Sequence, residues 1–269
     1  MDLVKKKGER IDAEKRSLIS SRYKSITKAI NQEFRNINSE TMYSRYVGSY
    51  GRGTAIDTSD IDMLVVLPKD IYEKHDELKG NGQSRLLQTV KNAVLEKYPR
   101  SKVHADGQVV VIDFSDGMKF EILPAFEHMG YWGVDDGTYD YPDSNKGGKW
   151  RSTNPKAEQK AMKELNDASN GLLYDTCKHM REIRDTQFKN CHLPGIVIDS
   201  FVYHNLKGWH WRREGEEKSD KPSGTYEKEL YNSCPSTILT LSAPGSNEPV
   251  DTTKCLDTLN KILNYMSKD

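Results

Sequence analysis

The chain has 269 residues, room for one large domain or for two smaller lobes around a shared cleft. Charged residues make up 30% and hydrophobic residues 35%, a polar but foldable mixture that excludes a disordered composition. Lys and Arg total 40 and so do Asp and Glu, so the basic excess of a protein that holds a long nucleic acid duplex is missing, and small phosphorylated substrates fit better than a polymer. Cys177, Cys191, Cys234 and Cys255 form no C-x-x-C pair and no zinc spacing, and they read as reduced thiols. Residues 1–10 are charged, with Lys5-Lys6-Lys7 reading as a solvated terminus, and they lack the apolar centre of a signal peptide. No apolar run approaches the ~20 residues of a membrane span. A cytoplasmic protein without membrane contact is expected.

In chain order, Ile11, Leu18, Ile19, Tyr23, Ile26, Ile30, Phe34 and Ile37 recur at helical steps and predict a long amphipathic helix. A short strand is expected from Met42 to Val47, followed by the glycine-rich turn Gly48-Ser49-Tyr50-Gly51-Arg52-Gly53-Thr54. Ile61 to Leu67 reads as a buried strand closed by Pro68, Lys79 to Gln83 as a loop, and Ser84 to Tyr98 as a helix. Val109 to Phe114 and Lys119 to Leu123 read as a hairpin with a two-residue turn at Asp116-Gly117. Residues 130–149, rich in Gly, Asp and Tyr, are expected to form an exposed loop whose Tyr131, Trp132, Tyr139 and Tyr141 either pack or stack on a base.

Beyond Pro155 the pattern turns helical, from Ala157 to Arg184 and from Ile198 to Trp211. A charged loop then runs from Arg212 to Ser223, and Cys255 to Met266 forms a last amphipathic helix. The histidines show neither zinc nor triad spacing, and Trp209 and Trp211 read as packing residues. The layout is a mixed α/β region over residues 1–150 and a mainly helical one over 151–269.

The residues that carry chemistry lie between Gly48 and Glu121. Asp60 and Asp62 are two apart at the start of a strand and so project to one face. Neighbouring carboxylates repel unless a cation neutralises them, and magnesium prefers oxygen ligands and phosphate partners. The small residues of the preceding turn let backbone N–H groups approach a phosphate. Ser49 adds a hydroxyl, and Arg52 and Thr54 lie close in sequence. A third acid would complete a two-metal site, and the hairpin offers Asp113, Asp116 and Glu121. Pairing across Asp116-Gly117 sets Asp113 opposite Phe120 and Ile112 opposite Glu121, which places Asp113 and Glu121 on opposite faces. Asp116 falls in the turn. Glu121 sits in a central strand, where an acid without a partner is costly, and it is the preferred third acid, with Asp113 second.

Gly48-Ser49, Asp60-Ile61-Asp62 and Phe120-Glu121-Ile122-Leu123-Pro124-Ala125-Phe126 resemble the polymerase-β-like nucleotidyltransferases. Within them the pattern is similar to the oligoadenylate synthase and cyclic GMP–AMP synthase branch, most nearly its bacterial members, the CD-NTases of the CBASS anti-phage systems. Trp150-Arg151-Ser152-Thr153-Asn154-Pro155-Lys156 resembles their segment after the catalytic sheet, and the likeness spans about residues 10 to 210. The resemblance implies an α/β (α+β) fold, with a mixed-sheet nucleotidyltransferase lobe, a helical lobe and an active site in the cleft between them.

By the same resemblance, Asp60, Asp62 and Glu121 hold two Mg2+ ions, for which Mn2+ can substitute, and Gly48 and Ser49 hold the donor triphosphate. The family often has Asp where this chain has Glu121. A lysine and a serine of the helical lobe that grip donor phosphates correspond to Arg181 and Ser200. The implied reaction is attack of a ribose hydroxyl on the α-phosphate of a nucleoside triphosphate, with one ion activating the hydroxyl and the other stabilising pyrophosphate. A second round closes a cyclic di- or trinucleotide that activates a separate effector. An alternative is a transferase acting on a protein, tRNA or small-molecule acceptor. A third reading, an inactive nucleotide-binding module, is opposed by the intact acids. No motif points to a regulatory protein partner.

Overall fold

A computed structural model describes residues 11–58, 60–129, 135–218, 220–237 and 239–268; Lys5-Lys6-Lys7, Tyr131 and Trp132 lie outside them. Two units follow from the contacts, one of Asp12–Gly51 and Asp60–Lys156, the other containing residues 52–58 and 157–268. The sequence reading placed 52–58 with the catalytic region, whereas these residues pack with the helical unit.

In the first unit, Asp12 accepts a hydrogen bond from the Lys15 amide (2.7 Å) and so caps α1 (Ala13–Arg35). Ile19, Tyr23, Ile26 and Ile30 form its buried face at steps of three and four. The helix ends before the expected Ile37 because Asn36 takes the left-handed conformation, which asparagine tolerates. β1 (Ser44–Tyr46), a four-residue helical turn α2 (Gly48–Gly51) and β2 (Ile61–Val66) follow. α3 (Lys69–Asp76) buries only His75, too little apolar pattern to show in sequence. α4 (Gly82–Lys97) starts at Asn81, whose side chain accepts from the Ser84 amide (2.8 Å).

β3 (Lys102–Asp106), β4 (Val109–Asp113) and β5 (Lys119–Met129) complete a sheet of order β1-β2-β5-β4-β3, in which β2 and β5 are parallel and the other pairs antiparallel. β6 (Asp135–Asp143) pairs with the far half of β5, and β7 (Lys149–Thr153) pairs with β6.

Two expectations are corrected here. The β4–β5 hairpin closes through a three-residue loop, with Phe114 N donating to Met118 O (2.9 Å), Gly117 N to Phe114 O (3.0 Å), and Gly117 at φ +87°. A three-residue loop with glycine in the left-handed position shifts the pairing by one residue relative to a two-residue turn. Asp113 therefore opposes Lys119 and Val111 opposes Glu121. Asp113 and Glu121 lie on the same face, not on opposite ones. Residues 135–143, expected as exposed loop, form a strand whose Tyr139 is buried with Leu64, Val66 and Ala125.

The second unit takes α5 (Pro155–Ala168) from Ala157 onward, with α6 (Leu172–Gln187), α7 (Gly195–Asn205), α8 (Thr225–Asn232) and α9 (Leu256–Lys268). A two-stranded ribbon, β8 (Leu241–Ser242) with β9 (Pro249–Val250), precedes α9. The helix expected from Ala157 to Arg184 is broken, because Asn170 (φ +53°) and Gly171 (φ +93°) cannot continue it. The helix expected to reach Trp211 stops at Asn205, before a turn with positive φ at Lys207 and Gly208.

Met162, Leu173, Met180, Phe201, Ile262 and Leu263 lie in the core of this unit, each a side chain whose burial contributes ~1.5–3 kcal/mol. Trp209 and Trp211 pack on this core, their indole N–H groups donating to Glu229 and Asp175. The four cysteines stand as free thiols. Among the described residues no helix is long and apolar enough to cross a membrane.

Candidate active site

In the first unit, Asp62 is the second residue of β2 and stands in register with Glu121 across the parallel β2–β5 pair. The two acids share a sheet face with Leu64, Val66 and Ala125, which are buried under Tyr139 farther along. They therefore lie where the apolar covering of that face ends. Asp60 precedes Asp62 by two residues and is 48% exposed. Carboxylates on neighbouring strands, about 5 Å apart, repel by about 1 kcal/mol in bulk water and about 3 kcal/mol near a protein surface. A cation is needed to hold them together.

Lys119 supplies one. It lies two residues before Glu121 on β5, and its Nζ donates to Glu121 Oε1 (2.6 Å) and Asp60 Oδ2 (3.0 Å). Partial burial alone would lower the Lys119 pKa, but the bonds to Glu121 and Asp60 outweigh it and hold the ammonium above its ordinary value. Among the described residues no group of three or more His, Cys, Asp and Glu side chains is arranged to hold a metal ion. The donor set nevertheless suits a hard divalent cation, since every candidate ligand atom is a carboxylate oxygen. An ammonium already stands in as the positive charge between Asp60 and Glu121.

The turn after β1 is built onto this site. Val47 N donates to the Asp62 carbonyl (2.9 Å), which fixes the start of α2 beside β2. Gly48 has φ +57°, and a Cβ there would lie 1.8 Å from Asp62 Oδ2. Only glycine lets the chain pass so close to the carboxylate. Ser49 follows directly, at the beginning of the same turn. Gly48→Ala is expected to push the Asp62 carboxylate aside and reduce turnover by roughly 100-fold, the scale of an ångström-level misplacement in a positioned site. Wild-type turnover in a folded Gly48→Ala protein would show that Asp62 has no fixed role.

The remaining expected ligands lie in the second unit, gathered around Asp199. Asp199 Oδ1 accepts from Arg181 Nη1 (2.7 Å), and Oδ2 accepts from Arg52 Nε (2.8 Å) and Thr54 Oγ1 (3.0 Å). Arg52 Nη1 also reaches Glu158 Oε2 (2.9 Å), and Arg181 Nη2 donates to Gly195 O (3.0 Å). Burial would raise the Asp199 pKa, but Arg181 and Arg52 overcome it and hold the carboxyl at about 2. Glu158 is pushed up by burial, with Arg52 opposing only part of the effect.

Arg181 is 1% exposed and its charge is committed to a buried aspartate, a placement that lends no support to the expected grip on donor phosphates. Asp185, one turn farther along α6, is paired with Arg184 (2.6 Å). Arg52 and Thr54 are likewise buried, tying residues 52–58 to α5 and α7. Ser200 is buried next to Asp199, and its hydroxyl has no hydrogen-bond partner. In this arrangement all four side chains are buried within the second unit.

Sequence reasoning missed Lys119 and Asp199. The alternation Lys119-Phe120-Glu121 puts lysine and acid on one strand face, a signal that was present. Asp199 sits inside the apolar run Gly195-Ile196-Val197-Ile198-Asp199-Ser200-Phe201-Val202, where a charge requires a buried partner.

Residues 8–166 match the family described as the Second Messenger Oligonucleotide or Dinucleotide Synthetase domain (SMODS). No curated protein matches the chain. Among solved structures, CdnG of Bradyrhizobium diazoefficiens, a CD-NTase in complex with GTP, aligns with a TM-score of 0.65 at 12% identity, over 97% of this chain and 86% of that one. The CdnE cyclic dinucleotide synthase of Elizabethkingia meningoseptica, with GTP and Apcpp, aligns with a TM-score of 0.61 at 13% identity, over 95% and 97%. The DncV cyclic AMP-GMP synthase of Vibrio cholerae, with nonhydrolyzable GTP, aligns with a TM-score of 0.62 at 13% identity, over 97% and 85%. At such identities the likeness is one of fold.

Proposed function

The chain belongs to the family of second messenger oligonucleotide or dinucleotide synthetases, and on that premise we propose that it joins nucleoside triphosphates into a cyclic di- or trinucleotide with Asp60, Asp62 and Glu121 as the metal acids. The observation that carries the site assignment is the register of Asp62 with Glu121 on parallel strands, with Asp60 joined to Glu121 through one ammonium. In the proposed reaction a ribose hydroxyl attacks the α-phosphate of a donor triphosphate, an O–P bond to the acceptor forms, and pyrophosphate leaves. Repetition with the product reversed closes the ring.

The three carboxylates would hold Mg2+, or Mn2+ in its place. The bound cations would make the attacking hydroxyl more acidic and stabilise the departing pyrophosphate. The chain's own contribution is positional. Gly48 keeps the Asp62 carboxylate in line by leaving room for it, and the Gly48-Ser49 turn offers its backbone and one hydroxyl to the donor phosphates. The product would act in the cytoplasm on a separate effector in anti-phage signalling.

Glu121→Gln tests the third acid. It is expected to slow pyrophosphate release from nucleoside triphosphates by at least ~100-fold, as when a charge-stabilising group is lost from a transfer site. Asp113→Asn is expected to change the rate little, because Asp113 lies on β4, two strands from Asp62 with β5 between them, and pairs with Lys102 (3.6 Å). The reverse order of effects would move the third acid to Asp113 and refute the assignment.

A further inference from the structure

The contacts of Lys119 exceed those of a surface salt bridge. Its Nζ lies 2.6 Å from Glu121 Oε1 and 3.0 Å from Asp60 Oδ2, the carboxylates assigned above as metal ligands. A magnesium ligand oxygen sits about 2.0–2.1 Å from its ion. An ammonium and a divalent cation drawn to the same two carboxylates at these distances would stand a few ångströms apart as like charges, so the two compete for one place.

Lys119 is able to leave. Its side chain is 32% exposed on a flexible four-carbon stem. Asp113 is its cross-strand partner on β4, on the same face, and offers the displaced ammonium another carboxylate, shared with Lys102 at 3.6 Å. We propose that Lys119 is an internal competitor for the divalent cation, holding Asp60 and Glu121 in the metal-free protein and setting the cation concentration at which the site loads. The proposal rests on the reading of Asp60, Asp62 and Glu121 as metal acids. It adds a residue that acts by occupying their site and then vacating it.

Mn2+ binding to the full chain without nucleotide, followed by the electron paramagnetic resonance signal of free Mn2+, tests it. Lys119→Met and Lys119→Gln remove the charge and are expected to bind Mn2+ at least about ten-fold more tightly than wild type, the effect of deleting one like charge at contact range. Lys119→Arg keeps the charge and is expected to stay near wild-type affinity. Circular dichroism confirms that each variant is folded, and either neutral variant suffices.

Equal or weaker Mn2+ binding in the folded neutral variants, with measurable binding in wild type, overturns the proposal and leaves the metal acids standing. That result together with weakened nucleotide binding would make Lys119 a phosphate ligand instead. Absence of Mn2+ binding in wild type and in every variant would overturn the metal acids and the competitor together.

Discussion

Replacing Asp60 and Asp62 together with asparagine is expected to lower product formation by at least ~100-fold while the chain stays folded. Both acids face the end of the sheet where the apolar covering stops, and Asp60 is nearly half exposed, so neither supports the core. Lys119 keeps Glu121 as a partner in the double variant, which limits the loss of stability. Removal of two like charges near Glu121 offsets part of what the lost Lys119 contact costs. Far-ultraviolet circular dichroism and a thermal melt check the fold, and nucleotide chromatography checks the product. Wild-type product levels in the double variant would remove both residues from the site.

The second large effect concerns stability. Asp199→Ala leaves the Arg52 and Arg181 guanidinium groups buried without their shared carboxylate, a change that costs about 3–5 kcal/mol. For a chain of this size the melting temperature is expected to fall by roughly 10 °C. The pH dependence has a definite sign. The folded pKa of Asp199, about 2, lies below its ordinary value, so its contribution is complete above about pH 4 and is lost as pH falls towards 2. Glu158 is shifted upward and takes up its proton before Asp199 does. The Asp199→Ala protein is therefore expected to melt at a lower temperature at neutral pH, the deficit shrinking in strong acid. A melting temperature equal to wild type at neutral pH would mean that the cluster does not support the helical unit.

How the site could be read from sequence differs residue by residue. Asp60 and Asp62 were legible because the two-residue period of a strand is local. Glu121 was chosen through a hairpin register that is off by one, yet it stands beside Asp62, because the parallel β2–β5 pair places it there. Parallel pairing joins segments far apart in the chain and leaves no turn signal to read. The same turn chemistry misled the placement of Asp113: Asp116-Gly117 suits a two-residue turn, and only the hydrogen bond between Phe114 and Met118 reveals the longer loop.

Arg181 and Arg52 look in sequence like charges available to a phosphate. Their commitment to Asp199 depends on contacts 18 and 147 residues apart, which no local pattern encodes. The strand over residues 135–143 was hidden by its glycine, aspartates and proline, although Tyr139 and Tyr141 carry the alternation of a strand.

The most direct measurement of the proposed activity is mass spectrometry of the products formed from the four nucleoside triphosphates with Mg2+, after digestion with phosphatase. Ring closure removes every terminal phosphate, so the proposed function predicts a phosphatase-resistant species with the mass of a cyclic di- or trinucleotide, absent from the Asp60→Asn, Asp62→Asn protein. A linear product, stripped by phosphatase to one phosphate fewer than its nucleosides, or a nucleotide found attached to a protein, tRNA or small-molecule acceptor, would contradict it.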